Sequence, residues 1–242
     1  MARSDSNWVF ELFAAGARDW TPVSAKPAAR VLYAPFSGDP EASRRCASIL
    51  SEKELRRADR FLPEDAKANF VQRRAFRRYC AAIALQAPRA LSEIVFQETE
   101  KGRPYLLDRP DFTFSFSSCR LGFIGAWSPT HEIGVDLEDT SRNLEAVELA
   151  ERFFSEAEAR AVRSAEGRAR LRTFYRLWSM KEASLKSIGE GLPFGLDAFE
   201  FELAPVPRVV HAPCDKGGPE RFDAHLIGGV DICAALITRG VR

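Results

Sequence analysis

Trp178-Ser-Met-Lys-Glu-Ala-Ser-Leu-Lys186 is the stretch on which the reading of this chain turns. At 100° per residue, Phe174, Leu177, Trp178 and Leu185 fall on one apolar arc, as in a helix facing a core. Lys181 falls inside that arc, while Glu182 and Lys186 lie one turn apart on its edge. An ammonium within an apolar arc must reach out to water or find an anion. Taken alone, the stretch leaves two readings open. One is an amphipathic helix laced by a Glu182–Lys186 pair; the other is a helix that delivers charge to a site.

The 242 residues are enough for one large domain or two small ones. Lys and Arg (35) nearly balance Asp and Glu (34), so overall charge argues against a polyanionic partner. With no run of about 18 apolar residues, a membrane-spanning helix is not expected. The N-terminal stretch from Trp8 to Ala17 is interrupted by Glu11, a poor core for a signal peptide. Five widely spaced cysteines without a CxxC pair fit reduced thiols in a cytoplasm. His131, His211 and His225 are too scattered for a metal cluster.

Residues 1–30 mix aromatics, prolines and alanines and read as an extension packed on the body, without chemistry. Val31–Pro35 reads as a strand. Ser51-Glu-Lys-Glu54 has capping-box form and opens a helix to about Arg60. A second helix follows from Glu64 until Pro88, with Ala75, Tyr79 and Ile83 as its core stripe and many arginines elsewhere. Strands are expected over Ile94–Gln97 and Tyr105–Leu107, flanking the turn Lys101-Gly-Arg-Pro104. Phe112-Thr-Phe-Ser-Phe-Ser117 alternates strictly, the mark of a half-buried strand. Leu121–Trp127 and Ile133–Glu138 continue as strands. Helices are expected over Leu144–Phe154, from a second capping box at Ser155-Glu-Ala-Glu158 to about Arg168, and over Arg170–Ile188. Phe199–Leu203, Phe222–Ile227 and Val230–Thr238 close the chain as strands. Arg60-Phe-Leu-Pro-Glu64 resembles Arg152-Phe-Phe-Ser-Glu156, each before an Arg-rich helix that leads to a Gly/Pro turn. The pattern predicts an α+β protein of two pseudo-symmetric halves, 31–129 and 130–242, with a ligand cleft between them.

In Ile133-Gly-Val-Asp-Leu-Glu138, alternation puts Gly134, Asp136 and Glu138 on one strand face. Two carboxylates at i,i+2 sit roughly 6–7 Å apart and repel unless a cation intervenes. Gly134 leaves that face open to a ligand; a plainly solvated face is the other reading. Mg²⁺ takes one or two carboxylates together with phosphate and water oxygens. Glu182 would supply a third carboxylate, with Lys186 one turn on to meet a phosphate.

Gly134-Val-Asp-Leu-Glu138 followed by Trp178-Ser-Met-Lys-Glu-Ala-Ser-Leu-Lys186 resembles the paired signature of the 4′-phosphopantetheinyl transferases. Length and the internal similarity resemble the monomeric surfactin-synthetase-type branch, over roughly Leu50 to Phe201. The resemblance implies that fold, with coenzyme A between the halves. It also implies transfer of phosphopantetheine from coenzyme A to a serine of an acyl or peptidyl carrier protein, releasing adenosine 3′,5′-bisphosphate. By the same resemblance, Asp136, Glu138 and Glu182 match the Mg²⁺ ligands, and Lys186 the lysine on the pyrophosphate. Lys181 matches a neighbouring lysine of the motif, and Glu158 a carboxylate that helps deprotonate the serine. As a capping-box residue, Glu158 also has an explanation without catalysis.

For the adenosine 3′-phosphate the family uses basic residues of the first half, which here match Arg57 and Arg103. Arg73, Arg74 and Arg77 lie on the adjoining helix, as phosphate ligands or as a solvated basic face. The arginines are not read as a nucleic-acid surface, because net charge is near zero and aromatics are not interleaved. Ser117 matches the family's 3′-phosphate serine, whereas Ser118 stands where a histidine is usual. A hydroxyl brings no positive charge, so weaker discrimination between coenzyme A and its 3′-dephospho form is expected. Carrier recognition is expected around Leu144–Phe154. The resemblance leaves two rivals: a weakened coenzyme A-binding regulator, and another Mg²⁺-dependent nucleotide enzyme. The second lacks any Walker-type or G-x-G-x-x-G stretch here.

Overall fold

Two antiparallel sheets meet edge to edge in this chain, and the carboxylate-bearing strand lies at the seam. A computed structural model describes residues 5–25, 28–86, 91–229 and 231–240. Its elements are α1 (Asp5–Gly16), β1 (Arg18–Asp19), β2 (Arg30–Pro35), α2 (Pro40–Ala47), α3 (Glu52–Ala58), α4 (Glu64–Leu85), β3 (Phe96–Glu98), β4 (Pro104–Leu106), β5 (Thr113–Cys119), β6 (Gly122–Ser128) and β7 (His131–Asp139). They continue as α5 (Ala146–Phe153), α6 (Glu156–Ser164), α7 (Gly167–Ser187), β8 (Glu200–Glu202), β9 (Arg208–His211), β10 (Phe222–Gly228) and β11 (Ile232–Gly240). The α+β class expected from sequence is the class observed. Pro88, expected to end the second helix, and Val230, expected to open the last strand, lie outside the described residues, as do residues 1–4 and 26–27 of the expected extension.

One sheet has the order β1-β2-β6-β5 and the other β10-β11-β7. Alternation in β5 sorts its side chains. Phe114 and Phe116 turn to Phe96, edge-to-face at 5.3 and 5.5 Å, while Ser115 and Ser117 turn to β7. No backbone ladder joins β5 to β7; serine side chains do so instead. Ser115 Oγ accepts from the Val135 N–H at 3.0 Å, and Ser117 Oγ donates to Asp136 Oδ1 at 2.9 Å. The first of these bonds satisfies a backbone N–H that an unpaired strand edge would leave bare.

On β7, Ile133, Val135 and Leu137 pack with Val31, Ile124 and Leu236 in an apolar cluster shared by both sheets. The opposite face departs from expectation. Gly134 does not leave it open to a ligand or to solvent, because α7 covers it. A Cβ on Gly134 would lie 1.8 Å from the Ala183 carbonyl oxygen and 2.6 Å from the Ser187 nitrogen. A hydrogen in place of a side chain lets the helix backbone come this close.

That helix starts at Gly167, three residues before the expected Arg170, and buries Phe174, Leu177 and Leu185. Phe174 packs against both the Phe154 and Trp178 rings, with centroids at 5.3 and 5.6 Å. Burying such a ring contributes about 1.5–3 kcal/mol. Both capping boxes form as read, Ser51 with Glu54 and Ser155 with Glu158. The N-terminal segment is more than an extension laid on the body. Val9 and Phe13 of α1 are buried in the first core, and β1 pairs with β2. Periodicity also missed α2, although Asp39 caps it and Pro40 opens it, a start signal in plain view.

Gly134→Ala should therefore cost about 3 kcal/mol through overpacking, read as a lower urea midpoint with an unchanged slope. A midpoint equal to the parent's would show that α7 does not need the gap.

Candidate active site

Asp136 and Glu138 reach the end of β7 beside the α7 turn that carries Glu182 and Lys186. The Lys186 ammonium donates to Asp136 Oδ1 at 2.7 Å, Ser117 Oγ at 3.2 Å and the Val135 carbonyl at 3.2 Å. Glu182 Oε2 lies 3.7 Å from the same nitrogen. The cation demanded by the repelling carboxylates is thus supplied in part by the protein itself. It is not enough. Burial first, then the charges of Asp136 and Glu182, push the Glu138 carboxyl up to about 7. Burial and Asp136 likewise raise Glu182, against the pull of Lys186. Burial would lower Lys186, but Asp136 and Glu182 outweigh it and raise the ammonium.

Two carboxylates share one ammonium here, with Glu138 beside them, and Asp136 Oδ2 is buried without a hydrogen-bond partner. A buried carboxylate oxygen with no donor is costly unless something else satisfies it. A hard divalent cation with oxygen preference would satisfy that oxygen, and Asp136, Glu138 and Glu182 are its candidate ligands. Among the described residues, no three His, Cys, Asp or Glu side chains are already drawn around a common ion position. Instead, Asp136 and Glu182 are both drawn to the Lys186 ammonium.

Two cavities meet at Glu182. One, of about 600 Å³, is lined by Ser117, Ser118, Asp136, Glu138, Arg142 and Glu182 among others. The second, of about 270 Å³, is lined by Arg77, Lys101, Arg103, Phe116, Lys186 and Glu182 among others.

The expected phosphate-binding arginines part company around the Phe70 ring, over which Arg57, Arg73 and Arg74 all sit. Arg73 reaches the first cavity's wall, donating to Ser118 Oγ at 3.4 Å. Arg103 lines the second cavity and pairs with Glu132. Arg57 is exposed and lines neither cavity. Arg74 is buried in ion pairs to Glu98 at 3.1 Å and Glu54 at 3.9 Å, so its charge is already answered. Arg77 has a better claim than Arg74: it stacks over Phe116, and burial followed by the charges of Arg74 and Arg73 lowers its guanidinium to about 9. Arg120 and Arg142, on the first cavity's rim, carried no signal in the sequence because both belong to irregular connections.

Glu158 and Lys181 are together, and away from this cluster. Lys181 is 0% exposed and Glu158 2%; they form an ion pair at 2.7 Å. Lys181 also donates to the carbonyls of Leu196 and Phe199, which accounts for all three of its N–H groups. Glu158 accepts from the Ser155 and Phe201 backbone N–H groups, each at 3.0 Å. Expected in catalytic places, Glu158 and Lys181 form in the structure a buried brace joining α6, α7 and β8. The apolar arc did require Lys181 to find an anion, and Glu158 is that anion.

A family model described as the 4′-phosphopantetheinyl transferase superfamily matches residues 132–235. The 4′-phosphopantetheinyl transferase Sfp of Bacillus subtilis is 32% identical over 181 residues, covering 72% of this chain and 78% of that protein. An L-aminoadipate-semialdehyde dehydrogenase-phosphopantetheinyl transferase of Xenopus laevis is 35% identical over 177 residues, or 68% of this chain. The chain spans 58% of the length of the Xenopus relative and 61% of that of a Synechocystis relative, also 35% identical.

Lys181→Met and Glu158→Gln should each lower unfolding free energy by about 3–5 kcal/mol, since each strands a buried partner. The double variant should cost less than the sum, as urea titrations of all four proteins would read. Single variants as stable as the parent yet inactive would return the pair to the chemistry.

Proposed function

The chain belongs to the 4′-phosphopantetheinyl transferase superfamily, and from that premise we propose that it transfers the 4′-phosphopantetheine group of coenzyme A to a serine of an acyl or peptidyl carrier protein. The reaction is Mg²⁺-dependent and releases adenosine 3′,5′-bisphosphate. The observation that carries this reading is the meeting of Asp136, Glu138 and Glu182 at one cavity, with a carboxylate oxygen that no protein donor satisfies.

In this reading the serine oxygen forms a bond to the β-phosphorus, the bond from that phosphorus to the bridging oxygen breaks, and the serine proton is lost. Asp136, Glu138 and Glu182 are the residues that would hold Mg²⁺. When bound there, it offsets charge gathering on the diphosphate oxygens. Arg77 and Arg103 come from the first half and Glu182 and Lys186 from the second, which supports placing the coenzyme between 31–129 and 130–242. Guanidinium forks suit the phosphate oxygens of its nucleotide end. Arg73, beside Ser118, supplies the charge that a serine in place of histidine lacks. Leu149 and Phe153 of α5, only partly buried, are the proposed contact for the carrier. The chain is read as a monomer of the cytoplasm. Its five free cysteines suit a reducing compartment, and no described helix is long and apolar enough to cross a membrane.

Incubated with coenzyme A, Mg²⁺ and an apo carrier protein, the chain should add a phosphopantetheine mass to the carrier. Asp136→Ala and Glu182→Ala should slow that gain by about 100-fold or more. Coenzyme binding by the parent without mass gain would favour a regulator instead. Arg73→Ala should raise KM for coenzyme A about tenfold, as loss of a charged hydrogen bond predicts, and leave that for the 3′-dephospho form unchanged. An equal rise for both would detach Arg73 from the 3′-phosphate.

A further inference from the structure

The turn Lys101-Gly-Arg-Pro104 lines the second cavity from the first half, and Gly189 and Glu190, just past α7, line it from the second. Two ion pairs cross from one side to the other. Lys101 reaches Glu190 at 2.6 Å, and Arg103 pairs with Glu132 near the start of β7. The turn belongs to the hairpin of β3 and β4, a two-stranded sheet of its own. Its backbone bonds close within it: the Gly102 N–H donates to the Thr99 carbonyl at 2.8 Å, and the Thr99 N–H to the Arg103 carbonyl at 2.9 Å. The tip can therefore shift as a unit without giving those bonds up, while Phe96 stays packed on Phe114 and Phe116.

Each acid also has a second cation in its own half. Arg239 of β11 stands opposite Glu132 in the strand register. Its Nε is buried without a hydrogen-bond partner, and burial lowers this guanidinium while Glu132 pulls it up. Lys216 lies 3.9 Å from Glu190. If the turn lifts, neither carboxylate is stranded, which removes the main cost of breaking a partly buried pair. Two arrangements of the same charges are thus open. In one, the turn's cations sit on Glu132 and Glu190; in the other, those acids fall back on Arg239 and Lys216, and the turn's cations are free to meet a ligand.

We propose that Glu132 and Glu190 latch this turn across the second cavity and compete with the phosphates of coenzyme A for Arg103 and Lys101. This rests on the coenzyme reading above and adds to it the two acids that oppose binding. A phosphate monoester carries about −1.5 to −2 charge at neutral pH, more than a carboxylate, so the coenzyme can win the exchange. Only the fraction of empty protein with the turn released is ready to bind, and the latch weakens apparent affinity by that fraction.

Calorimetry with coenzyme A and Mg²⁺, and hydrogen exchange of the empty protein, test this on the parent, Glu132→Gln and Glu190→Gln. Glu132→Gln should lower the coenzyme Kd about fivefold, the worth of one partly exposed ion pair, and should speed exchange over residues 99–103. Glu190→Gln should act in the same direction by about twofold, because Lys101 is exposed. A raised Kd in Glu132→Gln would overturn the latch and make Glu132 a residue that orients Arg103 for the coenzyme. An unchanged Kd would overturn it too, as would tighter binding with unchanged exchange, the sign of plain repulsion between Glu132 and the phosphates. A parent that binds no coenzyme A would instead remove the coenzyme reading itself, and the latch with it.

Discussion

The site depends on how closely α7 lies against β7. At Gly134 the helix backbone fills the space a methyl group would need, and that contact sets the height at which Glu182 and Lys186 stand over the strand. Asp136 then meets Lys186 at 2.7 Å instead of facing water. Neither element could hold these groups alone. A strand with two carboxylates on one face is electrostatically poor, and a helix edge with one acid and one base is ordinary. Brought together they make a partly buried cluster richer in anions than in cations.

That imbalance is what distinguishes the cluster from a structural ion pair. Glu158 and Lys181 show the contrast within the same helix. Their buried pair is closed: one positive, one negative, every ammonium proton used, and both carboxylate oxygens accepting. Around Lys186 the account stays open, with Glu138 and Glu182 raised and one Asp136 oxygen bare. Structure that served stability alone would have little reason to keep such a cluster, since apolar packing of similar volume is commonly as stable. Two lysines of one motif, five residues apart, thus have different surroundings.

The serines of β5 matter for a related reason. Alternation sends the phenylalanines of Phe112–Ser117 into an aromatic core and leaves small hydroxyls facing the neighbouring sheet. Small polar side chains can reach an unpaired strand edge without holding it away, so they join the sheets and enter the site in the same step. Ser115 secures the Val135 amide, and Ser117 secures Asp136.

Local pattern was sufficient for much of this. Capping boxes, the strict alternation of β5 and β7 and the apolar arc of Phe174–Leu185 were legible because each is set by neighbours within a few residues. Asp136 and Glu138 were legible as a pair on one strand face, and Glu182 was joined to them by the resemblance of the two motifs rather than by spacing. Lys181's need for an anion could also be read from its arc. What the sequence could not supply was which acid answers which base. Whether Arg74 is occupied by Glu98 and Glu54, and whether Gly134 admits a ligand or a helix, depend on distances between segments far apart in the chain. Periodicity assigns a face to each side chain; only the packing of one face on another decides what it touches.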